Sequence, residues 1–86
     1  MRLDRFLSVA RIFKSRSLAA EAISSSMVFI NGIPAKPAKD IGPGAIIEID
    51  TPRFYKKLKV TSLPARNVGR REASMSYELI EERTKD

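Results

Sequence analysis

Residues 1–32, MRLDRFLSVARIFKSRSLAAEAISSSMVFING, hold the signals for two helices and a hairpin. Leu3, Phe6, Leu7, Ala10 and Phe13 follow the i, i+3, i+4, i+7 spacing of a helix that buries one stripe, which predicts a helix from about Arg2 to Phe13. Arg2, Arg5, Arg11 and Lys14 fall beside or outside that stripe and are carried into solvent. Ser15 or Ser17 then offers an N-cap, its side-chain oxygen accepting from an orphan backbone N–H of a second helix. Leu18, Ala19, Ala22 and Ile23 supply that helix's buried face, and Ser24-Ser25-Ser26 ends it, because serine hydroxyls compete for backbone groups. Val28-Phe29-Ile30 is a β-branched and aromatic run leading into Asn31-Gly32. Asn-Gly between apolar runs signals a hairpin, since a type I′ turn needs positive φ at both central residues.

After this turn Ile33 begins the returning strand, and Pro34 confines it to a short or edge position. Lys36-Pro37 and Lys39 form a basic, extended connection. Gly42-Pro43-Gly44 is a second turn, Ala45 to Ile49 a buried strand, and Thr51-Pro52-Arg53 its break. Phe54 to Thr61 alternates as a last strand, with Leu58 and Val60 toward the core and Tyr55, Lys57 and Lys59 outward. Residues 62–71 have loop composition and carry Arg66, Arg70 and Arg71. The tail from Glu72 to Arg83 sets Ala73, Met75, Tyr77, Leu79 and Ile80 among acids, a pattern that suits a short docked helix or a strand equally. The fold class is α+β: two N-terminal helices packed on a short antiparallel sheet. Residues 1–62 form the domain, and residues 63–86 a basic loop and acidic tail.

Eighty-six residues leave no room for a second core. No apolar run nears the ~18 residues of a membrane span. Asp4, Arg5 and Arg11 interrupt the N-terminal apolar residues, which argues against a secretory signal and for a cytoplasmic chain. With neither cysteine nor histidine, the chain lacks disulfides, thiolate metal sites and the commonest general base. Its carboxylates are scattered and form no acid/base pair. No catalytic residue, metal or cofactor is assigned, and an enzyme is not expected. The net charge of +6 is uneven. Residues 51–71 hold seven Lys/Arg and no acid, whereas residues 72–86 hold five acids and two bases. That asymmetry suits a polyanion-binding stretch and a lopsided soluble surface about equally.

The order of helix, Lys14-Ser15-Arg16-Ser17 turn, helix, Val28-Phe29-Ile30-Asn31-Gly32 hairpin, Lys36-Pro37 and Pro43-Gly44 strand resembles the small RNA-binding domain named after ribosomal protein S-four. The match spans residues 1 to about 50. Among stand-alone members the chain is similar to the RqcP family, in its length, its Met1-Arg2-Leu3-Asp4 opening and its acidic tail. The related heat-shock-fifteen family shares the core and has a longer basic C-terminal extension. The RqcP resemblance implies binding to large-subunit rRNA and tRNA on stalled, obstructed large subunits. A monomer would there support mRNA-independent C-terminal tailing with a larger quality-control protein. Heat-shock-fifteen-like recycling of stalled subunits, or ribosome assembly, is the rival within the same fold. A protein-interaction module acting through the C-terminal tail is the rival of another class.

By position, the resemblance implies RNA contacts at Arg2, Arg11, Lys14, Ser15, Arg16 and Lys36, with Arg2 and Arg16 foremost. Arg5 and Lys39 join them from the basic helix and connection. Arginine's planar fork grips phosphate oxygens bidentately, and a helix N-terminus beside it presents free N–H groups. Ser15 serves equally well as an N-cap, and Asp4 is read as a structural acid orienting a neighbouring arginine. Three positions depart from the family: Ser26, where glycine is frequent; Met27, where a cation is; and Ala45, where an acid commonly follows Pro-Gly. Phe29 is read as packing rather than base stacking by about three to one. Tyr55 with Lys56, Lys57 and Lys59 is weighed evenly between an RNA surface and a solvated strand. The loop arginines 66, 70 and 71 are read as solvated slightly ahead of ordering on rRNA.

Overall fold

A computed structural model of the chain describes residues 1–63 and 76–85. Helix α1 spans Leu3–Val9 and helix α2 Arg16–Ser24. Strands follow in the order β1 (Val28–Ile30), β2 (Ile33–Pro34), β3 (Ile46–Asp50), β4 (Phe54–Val60) and β5 (Tyr77–Thr84). The first helix is shorter than its periodicity predicts. Arg11 takes a left-handed conformation, φ 61°. Its N–H donates to the Ser8 carbonyl and that of Ile12 to Leu7, which closes the helix in a Schellman motif. Phe13 therefore packs from the inter-helix link, half-buried, with its ring 6.3 Å from that of Phe54. Periodicity extends across such a stop because a Schellman turn returns the chain to the same face.

Helix α2 ends the same way. Ser26 is left-handed at φ 62°, Ser26 N–H donates to Ile23 and Met27 N–H to Ala22. Glycine adopts this conformation without steric penalty, so Ser26→Gly should raise stability by about 0.5–1 kcal/mol. For a domain of this size that is a few degrees in Tm by circular dichroism melting. Ser15, not Ser17, is the N-cap, its Oγ accepting from Leu18 N–H at 3.1 Å. Ala19, Ala22 and Ile23 are buried as expected, but Leu18 is 47% exposed. It lies in the first turn, outside the face that meets the core.

The five strands form one antiparallel sheet in the order β2-β1-β3-β4-β5. Asn31 (φ 51°) and Gly32 (φ 83°) make the expected left-handed pair between β1 and β2. Asn31 also ties the hairpin to β3, its Oδ1 accepting from Ile46 N–H at 3.2 Å and its N–H donating to the Ile46 carbonyl. β2 has two residues and sits at the edge, as Pro34 requires. Val28, Ile30, Ile47, Ile49, Leu58 and Val60 join Leu3, Phe6, Leu7, Ala19 and Ile23 in a single core. The helices thus cover one sheet face.

The tail is a strand. β5 pairs along the whole of β4, from Phe54↔Thr84 to Val60↔Tyr77, with a bulge between Lys57 and Leu58. Lys56 lies opposite Glu82, Lys57 opposite Glu81 and Lys59 opposite Glu78. Lys56 Nζ approaches Glu82 Oε2 at 3.3 Å. The strand's acids therefore stand in register with β4's lysines, and Glu81 is itself ion-paired with Arg83 at 3.1 Å. Tyr55 Oη donates to Glu48 Oε2 at 2.7 Å, and that bond to a carboxylate pushes its phenol up to about 12.

Candidate nucleic-acid interface

Asp4 is the organising residue. It sits in the first turn of α1, where a carboxylate suits the helix dipole, yet it is only 3% exposed. A charge so deep must be paired and hydrogen-bonded. Arg2 supplies a fork, Nε to Oδ1 at 3.2 Å and Nη2 to Oδ2 at 3.1 Å. Arg5 N–H donates to Oδ1 at 2.7 Å. Arg16, the first residue of α2, brings Nε to 3.4 Å from Oδ2. One buried carboxylate thus holds arginines from the starts of both helices, and each arginine remains about half exposed.

Burial pushes the Asp4 carboxyl up, but the bonds from Arg2 and from Arg5 N–H, with the Arg16 charge, outweigh it and hold it below its ordinary value. The folded state therefore binds this proton less readily than the unfolded chain. Asp4's contribution is complete above the ordinary carboxylate pKa of about 3.9 and is lost as pH falls through the lower folded value. Tm measured from pH 7 to pH 2 should be flat at first and fall below about pH 4. Asp4→Asn should remove part of that acid sensitivity while starting from a lower Tm.

The 36–41 segment docks against the start of α1. Leu3 N–H donates to the Lys39 carbonyl at 2.8 Å and Asp4 N–H to that of Pro37 at 3.2 Å. Residues 2 and 40 form an antiparallel bridge, and the Met1 ammonium meets Asp40 Oδ1 at 2.7 Å. Exposed Lys36 and Lys39 are thereby carried beside Arg2. The first N–H groups of α1 are thus taken, those of Leu3 and Asp4 by these carbonyls and that of Arg5 by Asp4 Oδ1, and none is left for a phosphate. Arg11 and Lys14 are exposed in the inter-helix link, while Arg5 is half-buried within α1. Ser15 Oγ is engaged in capping α2. Residues 1–39 contain seven basic and two acidic residues, a net of +5 within a chain of +6. With Asp4 buried beneath its arginines, the cationic groups dominate the surface at this end.

The other candidates separate from this cluster. Tyr55 and the β4 lysines lie in the sheet, next to the acidic β5. Phe29 is half-buried in β1, on the sheet face opposite the buried Val28 and Ile30. Arg66, Arg70 and Arg71 fall outside the described residues. The sequence reading missed that Asp4 serves two arginines. Arg2 and Asp4 share a helix start and are legible together, but Arg16 is twelve residues on and meets them only once α1 and α2 are docked.

A small α+β module with cations gathered where two helices begin is the architecture of an S4 domain. Residues 1–47 match the S4 domain family, and the chain belongs to it. It is 36% identical over 84 residues to the RQC P-site tRNA stabilizing factor of Bacillus subtilis (strain 168), covering 95% of this chain and 94% of that protein. It is 33% identical to the Heat shock protein 15 homolog of Haemophilus influenzae, covering 99% of this chain but 65% of that protein. The trimeric structure of Vibrio cholerae Heat Shock Protein 15 superposes with a TM-score of 0.86 at 32% identity, over 93% of this chain and 81% of that one. Among the described residues no helix is long and apolar enough to cross a membrane.

Proposed function

We propose that this chain is a non-enzymatic RNA-binding factor of bacterial ribosome-associated quality control. It acts in the cytoplasm as a monomer, with a larger quality-control protein. It binds large-subunit rRNA and holds a P-site tRNA on obstructed large subunits, so that C-terminal tailing proceeds without mRNA. The observation that carries this reading is the Arg2–Asp4–Arg16 cluster on a chain similar to P-site tRNA stabilizing factors over nearly its whole length. Arg2 and Arg16 grip phosphates, Lys36, Lys39, Arg11 and Lys14 extend the cationic rim, and Arg5 and Ser15 support it from within. Affinity comes mainly from phosphate contacts, and selectivity from the shape of the folded RNA.

Deleting the gene and assaying tails on stalled nascent chains tests this directly. Lost tailing, restored by the wild-type chain, is the expected result. Normal tailing would favour stalled-subunit recycling of the heat-shock-fifteen kind, a reading supported by the structural likeness to the Vibrio cholerae protein.

A further inference from the structure

Beside the arginine cluster the β1–β2 hairpin and the 36–39 segment enclose an open apolar groove of about 580 Å³, floored by Ile30, Pro34 and Ala35. Its volume falls within the range of small-ligand sites. Ile33 stands at the groove 68% exposed, the most exposed large hydrophobic side chain among the described residues. Lys36 and Lys39, both exposed, line the same groove. The only acid in the adjoining connection, Asp40, is paired with the Met1 ammonium. An aliphatic slot flanked by two ammonium groups has the chemistry of a nucleotide, with an apolar face and an anionic phosphate. The groove's 36–39 side is tied to the start of α1, because Leu3 N–H donates to the Lys39 carbonyl and Asp4 N–H to that of Pro37.

Resting on the RNA-binding reading above, we infer that this groove takes one unpaired nucleotide of the bound RNA. The base lies on Ile33 and Ala35, and its phosphate between Lys36 and Lys39. The domain then reads an unpaired base next to a helical backbone, which phosphate contacts alone do not supply.

Two measurements test it. In the first, ¹³C-methyl and ¹⁵N NMR of the full chain is titrated separately with adenosine monophosphate, uridine monophosphate and inorganic phosphate. Shifts at the Ile33 and Ala35 methyls with the nucleotides but not with phosphate are expected. Shifts confined to Lys36 and Lys39, equal for all three, would overturn the proposal and leave a plain cation patch. In the second, Ile33→Ser should weaken binding to large subunits and to deproteinised large-subunit rRNA alike, by about tenfold, the scale of the apolar burial that one aliphatic side chain contributes. Leu79→Ser, on the far edge of the sheet, should leave both unchanged. A loss with intact subunits only would mean that a protein side chain occupies the groove. Unchanged binding by Ile33→Ser where Arg16→Ala still weakens it would sink the groove but not the RNA reading. If neither variant matters, the RNA reading falls first.

Discussion

A chain ended after residue 75 should lose its cooperative melt. β5 lies at the sheet's edge, but it forms seven register pairs with β4. Ser76 is buried and its carbonyl accepts from Thr61 and Ser62 N–H, while Lys85 N–H donates to Arg53. Removing the strand strips these bonds, each contributing about 1 kcal/mol net. It also leaves Lys56, Lys57 and Lys59 without the glutamates opposite them. Leu58 and Val60, fully buried in the intact sheet, would sit on an open edge. Against a total stability of about 5–10 kcal/mol for a small domain, that loss is decisive. Circular dichroism melting checks it, and a sharp transition within a few degrees of the full chain would make β5 a mere appendage. Tail removal is consequently a poor probe of protein contacts. Point variants at half-exposed Leu79 or Ile80 serve that purpose better.

Arg16→Ala should lower affinity for large subunits by roughly ten- to a hundredfold, the range for one charge-assisted contact. It should change stability by no more than about 1 kcal/mol, because a half-exposed ion pair is screened by solvent. Asp4 would keep both Arg2 bonds and Arg5 N–H. The single variant therefore separates binding from folding. Removing Arg2 and Arg16 together does not, since the buried carboxylate would keep one backbone donor among these groups and the fold would weaken as well. Filter binding on purified subunits, beside a melt of the same sample, reads both quantities. Wild-type affinity in Arg16→Ala would take Arg16 out of the site.

Local signals carried most of the architecture. The Asn31-Gly32 turn, the Pro34 edge strand, the Ser15 cap and the buried faces of β3 and β4 each depend on residues within a few positions of one another. Three features were not legible, for distinct physical reasons. The Schellman stop at Arg11 hides in an unbroken apolar periodicity, because arginine is not a residue that announces a left-handed φ. The state of the tail depended on β4: Leu79 and Tyr77 make a strand there because Leu58 and Val60 lie opposite them. The third, Asp4 bridging Arg2 and Arg16, required the docking of two helices. Charge counted along the chain also ignores partners across a sheet, and of the basic residues in 51–71 those on β4 lie opposite acids of β5. In the fold, Lys56, Lys57 and Lys59 stand in register with Glu82, Glu81 and Glu78, and Lys56 is ion-paired with Glu82, while exposed Arg2, Arg11, Lys14, Arg16, Lys36 and Lys39 belong to the helices, the link between them and the 36–39 segment.

The affinity of the purified chain for large ribosomal subunits, with and without a P-site tRNA and across a salt series, decides whether it binds tRNA and subunit together. Binding at least about tenfold tighter to the tRNA-bearing particle is expected, with log affinity falling linearly in log salt as counterions are released. Equal affinity for the two particles, or affinity indifferent to salt, would contradict the account.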